Sequence, residues 1–327
     1  MSSVPASVHD LSPPRAAADS FSLVETLRRS LGDPGPRAAV IGGAACLGLL
    51  AATFLPTLRQ FLHVWTTDDN YSHGFLVPLI SLYFANEAAK RGPVPLRSGV
   101  AIGVALLVAA ILGRMATVLV PIGIVDDASF LLGLTGVVAL LAGAGALRRY
   151  WFALAFLVFM VPLPVALYSM VASPLQLLVS RVASAVLNAI GIPVLREGTI
   201  MTLPGDVRMF VAEACSGTRQ LTGFLALTTA VAYLSARPAW YRAVVVASAI
   251  PVALTANVTR VTLTGIIMSI DPKYALGAFH TAEGLLMMGF GLSLLGAECW
   301  LLNRLVEAGG PAPRALLIPT LNPEALR

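Results

Sequence analysis

The chain has 327 residues, of which 57% are hydrophobic and 12% are charged, and its mean hydropathy is +0.81. A soluble domain carries about 25% charged residues, so a water-exposed globule of this size would lack the polar side chains needed to cover it. This excludes most soluble enzymes, and the presence of only three cysteines excludes a disulfide-stapled scaffold. The net charge of +5 is therefore interpreted by its position relative to a bilayer, and we expect no nucleic-acid partner.

Apolar stretches long enough to cross a bilayer recur along the chain. A helix needs about 20 mostly apolar residues to cross the hydrocarbon core. Eight such stretches predict an all-α polytopic membrane protein of about eight transmembrane helices, with the lipid bilayer as its environment and no large soluble domain. They cover approximately residues 38–58, 70–88, 98–121, 127–147, 150–171, 217–236, 243–268 and 281–303.

The basic residues indicate how these spans are oriented. If the N-terminus is cytoplasmic, the inner side carries Arg15, Arg28, Arg29, Arg37, Lys90, Arg91, Arg97, Arg148, Arg149, Arg237, Arg242, Arg304, Arg314 and Arg327, and the outer side carries only Arg59, Arg181, Arg196, Arg208, Arg260 and Lys273. Multi-pass proteins concentrate Lys and Arg in their cytoplasmic loops. We therefore predict a protein of the cell inner membrane with both termini in the cytoplasm.

The chain is predicted to consist of one membrane domain with two loose ends. Residues 1–37 are rich in Pro, Ser, Ala and Arg, which is typical of a disordered cytoplasmic leader and not of a cleaved signal peptide. Residues 304–327 contain Gly309-Gly310-Pro311 and are expected to form a cytoplasmic tail. The membrane domain occupies 38–303.

One longer segment, 172–214, is expected on the outer face before the sixth span. In Ser173–Gly191 four polar residues recur at four-residue spacing, which predicts an amphipathic helix at the outer interface; they are Gln176, Ser180, Ser184 and Asn188. Residues 198–202 and 207–211 are short β-prone runs on either side of a turn at Leu203–Val207. They predict a β-hairpin that leads into the sixth span.

Cys215 differs from the other two cysteines in its surroundings. Cys46 and Cys299 lie within apolar spans, where a thiol usually acts as a small hydrophobic group. Cys215 lies in the polar run Glu213–Gln220 where the sixth span begins. A helix N-terminus and a nearby cation both lower the pKa of a thiol, and the thiolate is the nucleophile. A cysteine at a helix start can equally be structural, so this position alone leaves both roles open.

Arg260 and His280 belong to the two spans that follow. Arg260 lies about ten residues before the outer loop at Asp271, about 15 Å below it on a continuous helix. An ionisable residue at that depth is a candidate functional residue, although an anchor at the headgroups is the alternative. His280 opens the eighth span at the outer face, where a plain headgroup contact is the alternative, and His73 also lies outside. A thiol, an imidazole and a permanent cation together supply what acyl transfer through a thioester requires.

These residues resemble the signature blocks of the exosortase/archaeosortase family of polytopic membrane cysteine proteases or transpeptidases. The resemblance covers approximately residues 38 to 303 and rests on short blocks in the right order at the ends of spans. The blocks are Glu213–Gly217, Asn257–Arg260, His280 with Gly284, Asp69–Pro78 and the break at Met160–Pro164.

The resemblance implies an enzyme without cofactor or metal, whose partners are exported proteins with a C-terminal sorting tail. Such a tail consists of a short Pro-containing motif, one transmembrane helix and an Arg cluster. We expect Cys215 to attack the peptide carbonyl and form a thioester, and His280 to protonate the leaving amine. Arg260 would stabilise the oxyanion or the thiolate, or hold the substrate. The acyl acceptor is water or an envelope component.

Further residues are expected to bind substrate or to support the catalytic groups. Arg219 and Arg114 are candidates to bind an acidic residue of the recognition motif, and an internal ion pair with Glu213 or Glu283 is the alternative for Arg219. Asn257 could orient the Arg260 guanidinium or cap a helix break. Glu213 and Ser216 could support the site or cap the sixth span. His73 belongs to the same set.

A transporter or channel without peptidase activity is the alternative function. Transporters commonly have discontinuous helices and related halves, and no half-to-half symmetry is evident in the sequence. A His-Glu-x-x-His run and a Gly-x-Ser-x-Gly elbow at a span end are also absent from the sequence, which argues against a metalloprotease or a serine protease.

Overall fold

The computed structural model describes residues 32, 34–92, 99–120, 122–211, 217–271, 273 and 278–307, and for 34–36, 39, 69, 217–220, 278–283 and 285 it describes the backbone only. The chain divides into two compact units. The first contains the chain up to Leu55 together with Pro78–Leu157, and the second contains Pro56–Val77 and the chain from Val158 onward.

The described chain is mainly helical, with one small sheet. The helices are α1 Pro34–Thr53, α2 Leu55–Thr67, α3 Leu76–Ala89, α4 Val100–Leu119, α5 Gly123–Phe156, α6 Val165–Ala189, α7 Gly217–Leu234, α8 Ala239–Ala247, α9 Ala249–Ile270 and α10 Ala278–Glu307, with 3-10 helices at Asp69–Phe75 and Leu157–Met160. The strands are β1 Leu195–Glu197, β2 Ile200–Leu203 and β3 Val207–Phe210.

Five of the described helical segments are long and apolar enough to cross a membrane, or six if α1 and α2 together form one broken span. This confirms a polytopic helical protein but not the predicted count of eight. The second predicted span begins in the 3-10 helix Asp69–Phe75, so α3 has only 14 residues. The fourth predicted span and the first half of the fifth belong to one helical segment, Gly123–Met160, and the fifth predicted span ends inside α6.

The break between those two predicted spans lies at Gly143, not at the expected loop around Arg148 and Arg149. Gly143 has φ 74° and ψ −175° inside α5, a conformation that residues with a Cβ rarely adopt. Arg149 instead lies in the helix and donates from Nη1 to the carbonyl of Ala88, 3.2 Å away, at the end of α3. A cation at that position complements the helix C-terminus.

Small residues allow α4 and α5 to pack closely in the first unit. A Cβ at Gly103 would lie 2.5 Å from Cα and 2.6 Å from N of Leu140. At Gly136 a Cβ would lie 3.1 Å from the backbone of Leu107. Membrane helices associate through such close packing because, in lipid, the hydrophobic effect does not drive helices together.

In the second unit, α6 packs against the sheet with the polar stripe that the sequence analysis assigned to the outer interface. Ser180 and Ser184 are buried, whereas the apolar side chains of Leu178 and Val182 are exposed. Ser180 Oγ donates to the carbonyl of Gly198 at 2.9 Å. The middle of the stripe therefore faces the protein, whereas Asn188 at its end is exposed, and α6 is long and apolar enough to span a membrane. This corrects its predicted interfacial orientation.

The three strands pair antiparallel in the order β1-β2-β3. β2 and β3 form the predicted hairpin, with Leu203 opposite Val207, and β1 is a third strand that the sequence analysis missed. The connecting turn requires positive φ at Gly205 (80°) and Asp206 (58°), conformations that Gly and Asp tolerate. The inner face of the sheet joins a core with α6 and α9 formed by Val179, Ala183, Leu187, Met201, Leu203, Met209, Val211 and Val261.

The close approach of α4 to α5 gives a testable prediction. Gly103→Ala should lower the free energy of unfolding by about 1–3 kcal/mol, because backbone atoms of Leu140 cannot rotate away from the added methyl group. Thermal unfolding of the detergent-solubilised protein measures the change. The control is Gly48→Ala in α1, where a Cβ meets nothing within 4 Å and the better helix propensity of Ala should hold or raise stability. Equal melting temperatures for the two variants would contradict this account of the packing.

Candidate functional site

Three helices of the second unit carry the sequence-predicted catalytic residues or begin beside them. α9 carries Arg260 and packs against both α7 and α10. α7 begins at Gly217, two residues after Cys215, and α10 begins at Ala278, two residues before His280. Cys215, Glu213 and Ser216 lie outside the described residues. Arg219 and His280 lie in the first turns of α7 and α10, and their side chains are outside the described part.

The chain is anchored on both sides of the segment that contains Cys215. Val211 is fully buried in the core under the sheet, and its N–H donates to the carbonyl of Thr199 at 3.0 Å. Gly217 begins α7 on the other side. Only residues 212–216 separate these two points, so the sheet and α7 together restrict where the cysteine can lie.

The packing of α7 on α9 shows which residues share a level along the bundle. Phe224 of α7 packs with Ala249 and Ala253 of α9, and one turn earlier Leu221 lies with Ala253 and Asn257 around a small cavity. Moving seven residues along each helix from Phe224 and Ala253 reaches Gly217 and Arg260, about 10 Å from the contact in both cases. Arg260 is therefore level with the start of α7.

The packing of α10 on α7 extends this alignment to His280. Gly291 of α10 lies against Phe224 so closely that a Cβ would overlap the phenyl ring, and Leu294 joins the same core. His280 is 11 residues before Gly291, about 16 Å along the helix. Cys215 is nine residues before Phe224. The packing thus places the His280 backbone about 6 Å, or about one helical turn, beyond the level at which α7 begins.

Arg260 and Asn257 lie on the buried face of α9. Arg260 is 7% exposed and Asn257 is 2% exposed, and they are one helical turn apart. The carbonyl of Arg260 accepts from Oγ1 of Thr264 at 3.0 Å. A guanidinium so withdrawn from solvent keeps its charge at working pH, which makes it suited to stabilise a neighbouring anion.

A second set of contacts joins the 3-10 helix Asp69–Phe75 and Trp65, near the end of α2, to the chain at Met160 and Leu163, inside the fifth predicted span. Nε1 of Trp65 donates to the carbonyl of Met160 at 3.0 Å, and the N–H of Leu163 donates to the hydroxyl of Tyr71 at 3.1 Å. Both the Asp69–Pro78 and the Met160–Pro164 blocks contribute to this junction, and the 3-10 helix also packs against α7. Two blocks that are distant in sequence therefore form one structure.

His73 lies within this junction. Its pKa is lowered from the ordinary value by burial, while the facing carbonyls of Phe159 and Asn70 oppose the shift. The imidazole is therefore mainly neutral at pH 7. A neutral ring at this position can position groups by hydrogen bonding.

Arg114 lies in the first unit and has an intramolecular carboxylate partner. Its Nη1 is 2.7 Å from both carboxylate oxygens of Asp126, and its guanidinium lies 5.8 Å from the ring centroid of Phe54. The sequence analysis did not consider Asp126. Two adjacent carboxylates in an otherwise apolar stretch, Asp126 and Asp127, were the signal that could have identified this pair.

The sequence analysis also left out Trp65 and Tyr71 as individual residues, although Tyr71 belongs to a block that it singled out. Their roles depend on contacts with Met160 and Leu163, more than ninety residues away. An indole and a phenol at the end of an apolar stretch are otherwise typical of a membrane interface. The sequence alone offers no signal that would favour the junction over that interpretation.

Comparison with known proteins places the chain in a family. The sequence model of the family described as transmembrane exosortase matches residues 65–297, a range that contains every candidate residue named above. No curated protein and no solved structure matches the chain. Because the match covers well over half of the chain and the described helices include several potential spans, the chain belongs to the transmembrane exosortase family.

Proposed function

We propose that the protein is a membrane-embedded cysteine peptidase or transpeptidase that cleaves C-terminal sorting signals of exported proteins. The signal consists of a short Pro-containing motif, a transmembrane helix and an Arg cluster. Cleavage takes place at the outer face of the inner membrane through a thioester on Cys215. Membership of the exosortase family supports a membrane sorting function in general, and the proposal adds the residues and the chemistry.

The observation that carries the proposal is the alignment of α7, α9 and α10. The contacts of Phe224 with Ala253 and Gly291 put the start of α7 and Arg260 at the same level, with the His280 backbone about one helical turn beyond them. A nucleophile before α7, a cation on α9 and an imidazole on α10 would then meet at one end of the bundle. If Cys215 had only a structural role, no buried arginine would be needed at the level where α7 begins.

The reaction has two stages. Cys215 is first acylated, and the thioester is then cleaved so that the free Cys215 thiolate is regenerated. The Cys215 thiolate attacks the carbonyl carbon of the scissile peptide, and the C–N bond breaks when His280 protonates the leaving amine. The leaving fragment keeps the transmembrane helix and the Arg cluster. Water or an amine of an envelope component then attacks the thioester carbonyl and gives up a proton to His280, and the thiolate leaves.

Arg260 acts by charge and not by proton transfer. Its guanidinium stays protonated at working pH, so it cannot be the general base. A cation in a water-poor site stabilises an oxyanion more strongly than it would in water. The partners proposed for the remaining residues are an acidic group of the recognition motif for Arg219, the Arg260 guanidinium for Asn257, and the catalytic segment for Glu213, Ser216 and His73. Arg114 is already paired with Asp126 and is not proposed to bind substrate.

Replacement of the three catalytic residues tests the chemistry. With a sorting-tail substrate from the same genome co-expressed, Cys215→Ala should lower processing by at least about a thousandfold because the nucleophile is lost. His280→Ala and Arg260→Ala should each lower it by about a hundredfold or more. Immunoblotting of precursor and product over time measures the rates.

Matched controls separate these effects from general damage. Cys46→Ala removes a thiol from α1, and Arg242→Ala removes an exposed arginine from α8; neither should change the rate. Undiminished processing by Cys215→Ala would exclude the thioester mechanism. The same loss in Arg242→Ala as in Arg260→Ala would exclude a specific role for the buried cation.

The proposed orientation has both termini in the cytoplasm and the active site outside. Two exposed tryptophans support it, because each accompanies an arginine at an end of a helix that the charge pattern assigns to the inner side. The guanidinium of Arg304 lies 4.8 Å from the ring centroid of Trp300, and Trp240 lies in the first turn of α8, two residues before Arg242. Tryptophan with a neighbouring cation is typical of the headgroup region.

Single-cysteine labelling tests this orientation. In a variant whose native cysteines are all replaced by serine, Glu197→Cys on β1 should react with a membrane-impermeant maleimide added to intact spheroplasts. Ala236→Cys, at an exposed position in the loop between α7 and α8, should react only after permeabilisation. The reverse pattern would show that the active site faces the cytoplasm.

A further inference from the structure

A small cavity lies among α6, α7 and α9 in the second unit, with room for roughly one water molecule. Most of its lining is apolar, including Leu175 of α6, Leu221 of α7 and Leu254 of α9. Two side chains with amide groups also line it, Gln176 of α6 and Asn257 of α9. The cavity therefore places two polar groups in surroundings that offer them few partners.

Asn257 is the more constrained of the two. Its side chain is 2% exposed, and its Oδ1 accepts no hydrogen bond from any residue that the structure describes. Buried acceptors in native proteins are almost always paired, and an ordered water is the usual partner where protein donors are lacking. The apolar side chains around Asn257 cannot supply a donor.

We propose that this cavity binds one internal water molecule, which donates a hydrogen bond to Asn257 Oδ1 and bonds to the amide of Gln176. The size of the cavity favours water over any larger ligand, since a water needs two to four polar partners and about the volume present here. Gln176 is the first member of the polar stripe on α6, and it lines the cavity together with residues of α9.

The bound water makes Gln176 a positioning residue for the site. This part of the inference rests on the proposed function. Asn257 and Arg260 lie one turn apart on the buried face of α9, and Leu221 lies one turn from the start of α7. A water held between α6 and α9 fixes the Asn257 amide, and with it the surroundings of the Arg260 guanidinium, near the level at which α7 begins.

X-ray radiolytic footprinting of the full-length protein in detergent tests the water directly. Irradiation converts bound water into hydroxyl radicals that oxidise the side chains touching it, and mass spectrometry locates the products. Leu254 should be oxidised in the wild type, whereas Leu187, which is fully buried in the core under the sheet, should not. Oxidation of Leu254 no greater than that of Leu187 would overturn the proposal.

Two variants test whether the side-chain amides of Gln176 and Asn257 bind the water. Gln176→Met keeps the length of the side chain but removes its hydrogen-bonding groups, so oxidation of Leu254 should fall severalfold. Asn257→Leu should also lower the oxidation of Leu254. This second variant keeps the test valid if Gln176→Met fails to fold. Unchanged oxidation in both variants would overturn the proposal, because solvent from outside the cavity would then explain the labelling.

Processing kinetics test the positioning role. Gln176→Met should lower kcat about tenfold with little change in KM, the loss expected for one hydrogen bond that supports a catalytic group. The control is Leu178→Met, which changes an exposed residue of the same helix and should leave kcat unchanged. Equal kcat in the two variants would overturn the positioning role. Footprinting needs no substrate, so it decides the water site even if the proposed reaction fails.

Discussion

The contact of Phe224 with α9 and α10 sets the relative positions of the helices around the candidate site. Its ring packs with Ala249 and Ala253 on one side and lies against Gly291 on the other. A phenyl ring can approach two helices at once only where the facing residues are small. Because each helix is rigid along its axis, this single contact fixes the height of residues ten or more positions away. The common level of Arg260 and the start of α7, with the His280 backbone about one helical turn beyond it, follows from this contact.

The sheet supplies the second constraint on the same region. Val211 ends the hairpin in the core formed with α6 and α9, so the chain that leads to Cys215 begins from a fixed point. α6 contacts the sheet region through Ser180, whose hydroxyl donates a hydrogen bond to the carbonyl of Gly198. A polar residue in the middle of a candidate span thereby gains a partner, as burial in an apolar environment requires. This internal hydrogen bond explains the position of Ser180 in the middle of the stripe on α6.

The sequence predicted the features that depend on local pattern and missed those that depend on backbone detail or long-range contact. Apolar length predicted the helical membrane class, and the turn around Gly205 predicted β2 and β3. The break at Gly143 was missed because one glycine among many in apolar stretches gives no signal of its own. The orientation of α6 was wrong because a polar stripe has the same periodicity whether it faces protein or water. Cys215, Arg260 and His280 were proposed from residue type and position along the spans, and the packing of Phe224 relates the levels of Arg260, the start of α7 and the His280 backbone.

The junction between the 3-10 helix Asp69–Phe75 and the chain at Met160–Leu163 has a consequence for how the protein forms. Trp65 and Tyr71 obtain their hydrogen-bond partners from residues that are made more than ninety positions later. During synthesis the indole of Trp65 and the phenol of Tyr71 therefore lack these hydrogen-bond partners until α3, α4 and α5 have been inserted. Contacts of such large sequence separation form late because chain entropy must first be lost. Maturation of this end of the molecule is thus a post-insertion event, and a chain interrupted before Met160 would never assemble it.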